Sequence, residues 1–195
     1  MARYGQLAVL FPGQGSQTPG MRDLVERLRP DLLELATAVV GGDPFELVDE
    51  GTRFAQPAIF CGSLAGWEAL KSELRPNFLA GHSLGELTAL VAARALSDAD
   101  GLRLVAARGL VMQEAQEAEG GGGMLAVGAP ASDVSELAER HGLAVANDNS
   151  PEQVVLSGPE AGLEAALVEL RERKVRAKRL AVRGAFHSPA IAASA

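Results

Sequence analysis

The sequence contains one cysteine, one tryptophan, one tyrosine and three histidines among 195 residues. A lone Cys61 excludes a disulfide framework and a zinc site built on cysteines, and it favours a reducing compartment. Apolar runs are short as well, since the first one covers only residues 7–11. This run is too short for a signal peptide, and no run approaches the ~20 residues of a membrane span. We therefore expect a cytoplasmic protein that does not associate with membranes.

Charge is low overall but unevenly distributed along the chain. The net charge is −7, yet residues 171–195 hold seven basic side chains and only one acidic side chain. The acidic remainder argues against nucleic-acid binding, which requires a broad positive surface. The basic segment, which we define as residues 171–183, is interpreted either as a solvated surface or as a docking site for an anionic ligand or an acidic protein.

The first 120 residues have the pattern of an α/β protein with a parallel sheet. The continuous apolar run at 7–11 predicts a buried parallel strand, and residues 77–80 predict a second, short strand. Helical spacing predicts a helix over 21–40 that is interrupted at Pro30, and further helices over 84–95 and 99–116. Because proline is favoured in a first helical turn, another helix is expected to start near Pro57. A cap at residues 97–100 is predicted for the helix that follows it.

A run of four glycines at 120–123 interrupts this pattern and predicts a hinge or linker. Beyond it we expect strands at 124–127, 143–146, 154–157 and 176–182, with helices over 132–141 and 160–174. The order β-α-β-β-α-β is typical of a ferredoxin-like α+β subdomain. We predict a body made of residues 1–120 and 184–195, with residues 124–183 inserted as the small subdomain.

The segment Gly81-His82-Ser83-Leu84-Gly85 is a G-x-S-x-G pattern between a predicted strand and a predicted helix. Small residues beside the serine permit the tight, strained turn of a nucleophile elbow. Such a turn exposes the Ser83 hydroxyl near the N-terminus of the helix, where backbone N–H groups stabilise an oxyanion. We interpret Ser83 as a nucleophile.

A serine nucleophile needs a base, and the three histidines are the candidates. His82 adjoins the serine and is expected to point elsewhere, and His141 is expected to end a helix of the small subdomain. His187 is left as the candidate base by elimination.

Two further segments carry chemistry. The glycine-rich turn at 11–17 follows the first strand, where a backbone N–H beside Ser83 would be a second oxyanion donor. Arg108 lies on an otherwise apolar helix face, so it needs a partner, either a protein carboxylate or a bound anion.

Taken together, the motifs resemble those of the malonyl-CoA:acyl-carrier-protein transacylase family. The matching segments occur in the same order in this sequence: FPGQGSQ at 11–17, QPA at 56–58, GHSLGE at 81–86, RGLVM at 108–112, NDNSP at 147–151 and AFHSP at 185–189. The resemblance covers essentially the whole chain. It implies an α/β body like that of patatins and α/β-hydrolases, with a parallel sheet and a ferredoxin-like insert.

The resemblance also implies roles for individual residues. Ser83 and His187 would be nucleophile and base, and the backbone N–H groups of Gln14 and Leu84 would form the oxyanion hole. Arg108 would bind the malonyl carboxylate. Phe186 is similar to the malonyl-selecting form of its motif, and Asn147 is implied as a further substrate-binding residue.

The implied reaction transfers malonyl from malonyl-CoA to the phosphopantetheine thiol of an acyl carrier protein, through a malonyl-serine, in fatty acid biosynthesis. A monomer without metal or cofactor is expected, with the carrier protein and the coenzyme A thioester as its partners. Two alternatives stay open: a serine esterase or thioesterase, and a catalytically silent fragment that binds a carrier protein. The family continues beyond the position of Ala195, so we expect a C-terminally truncated member.

Overall fold

The computed structural model describes residues 5–118, 121–180, 182 and 184–189. These residues form two compact units, which divide between Leu110 and Val111. Among them, no helix combines the length and the apolar composition needed to cross a bilayer.

The first unit combines a parallel strand pair with helices. Strands β1 and β2 are parallel, with Ala8 opposite Phe78 and Phe11 opposite Gly81. The predicted parallel arrangement is confirmed for these two strands. The expected burial of the run at 7–11 is wrong, because Phe11 is the one buried residue of β1 and Leu10 is 73% exposed. The elements are β1 (Ala8–Phe11), α1 (Met21–Leu28), α2 (Pro30–Val40), a 3₁₀ turn (Val48–Glu50), α3 (Thr52–Leu70), β2 (Phe78–Gly81), α4 (Leu84–Ala92) and the start of α5 (Asp98–Ala118).

Helix α3 lies at the centre of this unit, and most of its side chains are buried. Ile59 and Phe60 are fully buried and pack with Leu84 of α4 and Leu102 of α5 in one apolar cluster. Burial of large apolar side chains is the main stabilising contribution to such a unit. The cluster anchors α3, α4 and α5, the three helices that carry the candidate site.

Two predictions about helix ends in the first unit are confirmed. The helix over 21–40 is interrupted at Pro30, which becomes the first residue of α2. The predicted cap of α5 is also present, since the backbone N–H of Asp100 donates to the Ser97 hydroxyl over 3.1 Å.

The predicted start of α3 near Pro57 is wrong, because the helix begins five residues earlier, at Thr52. Proline within a helix removes one backbone donor. Phe54 and Ala55, which lie in the turn before it, are buried. Tertiary packing of this turn therefore overrides the preference of proline for a first helical turn.

The second unit is an antiparallel sheet with two helices. Its strand order is β4-β5-β3-β6, and all three neighbouring pairs are antiparallel. The six elements occur in the predicted order. They are β3 (Gly123–Val127), α6 (Ala131–Arg140), β4 (Ala144–Ser150), β5 (Gln153–Gly158), α7 (Glu160–Glu172) and β6 (Ala177–Arg179).

Opposite faces of this sheet pack differently. Leu125 and Leu156 belong to a cluster with Leu137 of α6 and Leu163 of α7, so both helices cover one face. Met124 and Val155, which alternate with them along the strands, face the other side, where they contact Met112 and Phe186.

The glycine run is partly strand rather than linker, which corrects the prediction at Gly123, the first residue of β3. Gly121 and Gly122 have φ values of 105° and 135°, which favour glycine, and Gly120 lies outside the described residues. Strand β6 is also shorter than the predicted range 176–182. The domain boundaries at 1–120, 124–183 and 184–195 stay predictions.

Candidate active site

Ser83 occupies a sharp turn between β2 and α4. Its φ of 53° and ψ of −108° lie in a region that non-glycine residues rarely adopt. A Cβ on Gly81 would lie 1.9 Å from the carbonyl carbon of Gly85, and one on Gly85 would lie 2.1 Å from the carbonyl oxygen of Phe11. Only glycine fits at both positions, so the predicted strained elbow is confirmed.

The glycine-rich turn after β1 lies against this elbow. The backbone N–H of His82 donates to the Phe11 carbonyl over 3.1 Å. On the other side of the turn, the Gln14 side chain donates to the hydroxyl of Thr52, at the start of α3, over 3.2 Å. Leu84 is the first residue of α4, where N–H groups lack partners within the helix. The oxyanion roles of the Gln14 and Leu84 N–H groups stay predictions.

Arg108 of α5 reaches the elbow and contacts the serine directly. One terminal nitrogen, Nη2, donates to Ser83 Oγ over 2.9 Å, and the other, Nη1, donates to Gln56 Oε1 over 2.7 Å. Arg108 therefore has partners, as expected, but the predicted kind of partner, a protein carboxylate or a bound anion, differs from those in the structure. They are a hydroxyl and a neutral amide.

Close helix packing brings Arg108 to this position. A Cβ on Gly109 would lie 2.9 Å from the Thr52 carbonyl oxygen and 3.1 Å from Arg53 Cα. Any larger residue after Arg108 would push α5 away from the start of α3. The close approach of α5 to α3 therefore explains why a glycine directly follows Arg108.

The electrostatic environment of Ser83 is positive. Burial lowers the pKa of Arg108 from its ordinary value, while the Glu86 carboxylate acts in the opposite direction. Arginine remains protonated in proteins, so a partly dehydrated cation lies at the serine. The N-terminus of α4 adds a partial positive charge at the same place. Such a site stabilises negative charge that develops on or next to Ser83 Oγ.

Gln56 is a site residue that residue-by-residue reasoning from the sequence missed. It is fully buried in α3, where its side chain accepts the hydrogen bond from Arg108. The sequence offered one signal, the QPA segment at 56–58. This segment alone predicts no role for Gln56, because Gln56 and Arg108 lie 52 positions apart in the sequence.

Three of the predicted site residues lie in the second unit. Phe186 is buried and packs with Met112, Met124 and Val155. His187 is the exposed next residue, with a φ of 56°. Asn147 is half-buried in β4 opposite Val155, just after a β-bulge. The pairing of His187 with Ser83 and the substrate contacts of Phe186 and Asn147 stay predictions.

The structure also locates the other two histidines. His141 caps the C-terminus of α6, as predicted, and its Nε2 lies 2.8 Å from a carboxylate oxygen of Glu169. This contact lowers the pKa of Glu169, with Arg140 and Arg173 acting in the same direction. His82 is exposed at the elbow.

The basic segment begins at the end of α7. Arg171 and Lys174 are exposed there, and so is Arg173, which pairs with Glu169. Further along, Arg179 of β6 pairs with Glu160. Arg183 lies outside the described residues.

Known proteins of similar sequence identify the family. A model of the acyl transferase domain family matches residues 33–195. The malonyl CoA-acyl carrier protein transacylase of Synechocystis sp. is 38% identical over 197 residues, which cover 95% of this chain and 65% of the relative. The phenolphthiocerol synthesis polyketide synthase of Mycobacterium marinum is 40% identical over 203 residues, covering 95% of this chain and 9% of that protein.

Solved structures agree with the sequence comparison. The crystal structure of malonyl-CoA:acyl carrier protein transacylase from Xanthomonas oryzae matches with a TM-score of 0.84 and 40% identity, over 97% of this chain and 66% of that chain. The match confirms the α/β fold. This chain thus spans about two thirds of the Synechocystis and Xanthomonas transacylases and about a tenth of the synthase. The resemblance identified from the ordered motifs is confirmed, and the chain belongs to the acyl transferase domain family.

Proposed function

We propose that the chain transfers a malonyl group from malonyl-CoA to the phosphopantetheine thiol of an acyl carrier protein, through an ester on Ser83, in fatty acid biosynthesis. The observation that carries the proposal is the 2.9 Å contact between Arg108 Nη2 and Ser83 Oγ. The relatives also support the proposal, because their names describe them as transacylases that act on malonyl-CoA and acyl carrier protein.

The position of Arg108 suits a dicarboxylic acyl group. In a malonyl ester of Ser83, the ester carbonyl carbon and the methylene carbon separate Oγ from the free carboxylate. With bonds of about 1.5 Å, the carboxylate oxygens lie about 3–5 Å from Oγ. A guanidinium nitrogen 2.9 Å from Oγ is within reach of that carboxylate. The planar fork of arginine matches both carboxylate oxygens. A serine esterase acting on neutral esters would have no use for this cation.

The first half-reaction forms the acyl-enzyme. Ser83 Oγ attacks the thioester carbonyl while its proton passes to His187, and the N–H groups of Gln14 and Leu84 stabilise the oxyanion. The carbon–sulfur bond then breaks, and the coenzyme A thiolate takes the proton from His187.

The second half-reaction reverses these steps on another thiol. His187 takes the proton of the phosphopantetheine thiol, whose sulfur attacks the malonyl ester. The ester bond to Oγ breaks, and the proton returns to Ser83. No metal or cofactor enters this scheme.

The basic segment is the proposed docking site for the carrier protein or the phosphates of coenzyme A, because its exposed Arg171 and Lys174 offer positive charge. Phe186 and Asn147 would line the acyl site. The protein is proposed to act as a monomer in the cytoplasm, where the buried thiol of Cys61 would stay reduced.

The architecture proposed for this activity has two parts. The body, residues 1–120 and 184–195, would be of the patatin-like or α/β-hydrolase-like kind. The insert, residues 124–183, would be ferredoxin-like, a proposal supported by the strand order β4-β5-β3-β6 with antiparallel pairs.

Transfer of labelled malonyl to a holo carrier protein tests the proposal. The chain is incubated with malonyl-CoA labelled in the malonyl group, and the label on the carrier is followed with time. We expect transfer by the wild type and none by Ser83→Ala. Hydrolysis without transfer would favour the esterase, and carrier binding without acylation would favour the silent fragment.

A further inference from the structure

Gln56 is a polar side chain in a fully buried position. It lies in the second turn of α3, and its neighbours Ala55 and Ala58 are apolar and buried. A buried amide is costly unless its polar atoms are hydrogen-bonded. Its Oε1 accepts a hydrogen bond from Arg108 Nη1 over 2.7 Å, a length in the range of charge-assisted bonds.

This bond gives Arg108 a second anchor besides the serine. A free arginine side chain samples many rotamers, and ordering it on ligand binding costs affinity. With Nη1 on Gln56 and Nη2 on Ser83, two points fix the plane of the guanidinium. When Ser83 Oγ becomes an ester oxygen, the contact with Gln56 is the anchor that persists.

The chemistry of the anchor matters as much as its position. A glutamine oxygen orients a guanidinium without a formal negative charge, so the full positive charge of Arg108 stays available. A carboxylate at the same position would pair with that charge and compete with an incoming anion. The Glu86 carboxylate partly opposes the lowering of the Arg108 pKa by burial. It is exposed to solvent, which weakens its electrostatic attraction to the guanidinium.

The backbone holds the two partners at a fixed separation. Gln56 lies on a helix anchored in the core through Ile59 and Phe60. Arg108 precedes Gly109, where α5 approaches the start of α3 so closely that a Cβ would meet the Thr52 carbonyl oxygen at 2.9 Å. The Gln56–Arg108 pair is therefore built into the packing of α3 on α5.

We propose that Gln56 is a positioning residue that sets donor preference. It fixes the orientation of the Arg108 guanidinium without neutralising its charge, so that the guanidinium can bind the carboxylate of a dicarboxylic acyl donor. The inference rests on the proposed function. It predicts that the choice between malonyl-CoA and acetyl-CoA depends on a residue that touches neither donor.

Rates of acyl-enzyme formation with malonyl-CoA and acetyl-CoA test this inference. Gln56→Met keeps the length of the side chain and removes the acceptor. We expect the malonyl-to-acetyl ratio of loading rates to fall about tenfold or more, the usual effect of losing a hydrogen bond to a charged group. Gln56→Glu keeps the acceptor but adds a negative charge, and it is expected to lower the ratio further.

A matched control comes from the same helix. Ile59→Val trims a fully buried side chain one turn away without touching a hydrogen bond, and its ratio should equal that of the wild type. If Gln56→Met does not melt cooperatively, the test of the inference rests on Gln56→Glu, because glutamate retains the size and the acceptor of glutamine.

The outcomes separate this inference from the proposed function. A wild type that takes up no malonyl group refutes the proposed function. A wild type that is loaded, together with folded Gln56 variants that lose both donors equally or keep the wild-type ratio, overturns the positioning role alone.

Discussion

Removing the guanidinium at Ser83 is the most informative perturbation of the site. Arg108→Ala deletes the donors to Ser83 Oγ and Gln56 Oε1, at 2.9 Å and 2.7 Å. Acetyl donors present no carboxylate, so they lose little by this change. A malonyl donor loses the proposed counter-ion of its carboxylate, so the preference for malonyl over acetyl donors should fall.

The size of the effect follows from the contacts that a carboxylate would make. Hydrogen bonds to charged groups contribute about 1.5–3 kcal/mol each. Arg108 is half-buried, and burial already lowers its pKa, so the cation is partly dehydrated before the donor arrives. Two such bonds, discounted for the remaining solvent, amount to about 3 kcal/mol, or roughly 100- to 200-fold in relative kcat/KM. Arg108→Lys keeps the charge but loses the fork, and about tenfold is expected.

Competition between malonyl-CoA and acetyl-CoA for loading of the chain measures this ratio directly. Arg103→Ala is the control, because Arg103 lies on the same helix, is exposed and pairs only with the nearby Asp100 among the described residues. Its ratio should equal that of the wild type. An unchanged ratio in folded Arg108→Ala would refute the assignment of Arg108 to the donor carboxylate.

Three other predictions concern the elbow, the docking surface and the core. Gly81→Ala should abolish loading or prevent folding, because its Cβ would lie 1.9 Å from the Gly85 carbonyl carbon; loading and melting are measured together. Reversing the charge of Arg173 and Lys174 should raise the KM for the carrier protein and weaken its dependence on salt, measured in the transfer assay. Phe60→Ala should lower the free energy of unfolding by about 3–5 kcal/mol in urea titrations, since Phe60 is fully buried.

Each of these predictions has its own contrary result. Normal loading by Gly81→Ala would show that the elbow tolerates a side chain. An unchanged carrier KM after reversal of Arg173 and Lys174 would mean that the basic segment is a solvated surface. Arg27→Glu, which reverses one exposed charge on α1, is the control outside this segment. A loss below about 1 kcal/mol for Phe60→Ala would contradict its place in the core.

The elbow was predictable because its chemistry is local. Gly81, Ser83 and Gly85 lie within five positions, and the strand and helix around them have clear apolar patterns. The strained backbone at Ser83 follows from this arrangement, and the structure has it with a φ of 53°. Local sequence is sufficient where one turn sets the geometry.

The contacts of Arg108 were only half predictable. An arginine on an apolar face requires a partner, but the identity of that partner depends on how α3 packs against α5. Gln56 lies 52 positions away, and its buried position depends on an α3 start that the preference of proline predicted wrongly. Contacts between distant segments are set by packing, which single-sequence patterns do not encode.

The measurement that tests the central claim most directly is the intact mass of the chain after incubation with malonyl-CoA, followed by peptide mapping. We predict a mass gain of one malonyl group on the peptide that contains Ser83, and no gain in Ser83→Ala. A cooperatively melting wild type that gains no mass, or that carries the malonyl group on another residue, would contradict the account.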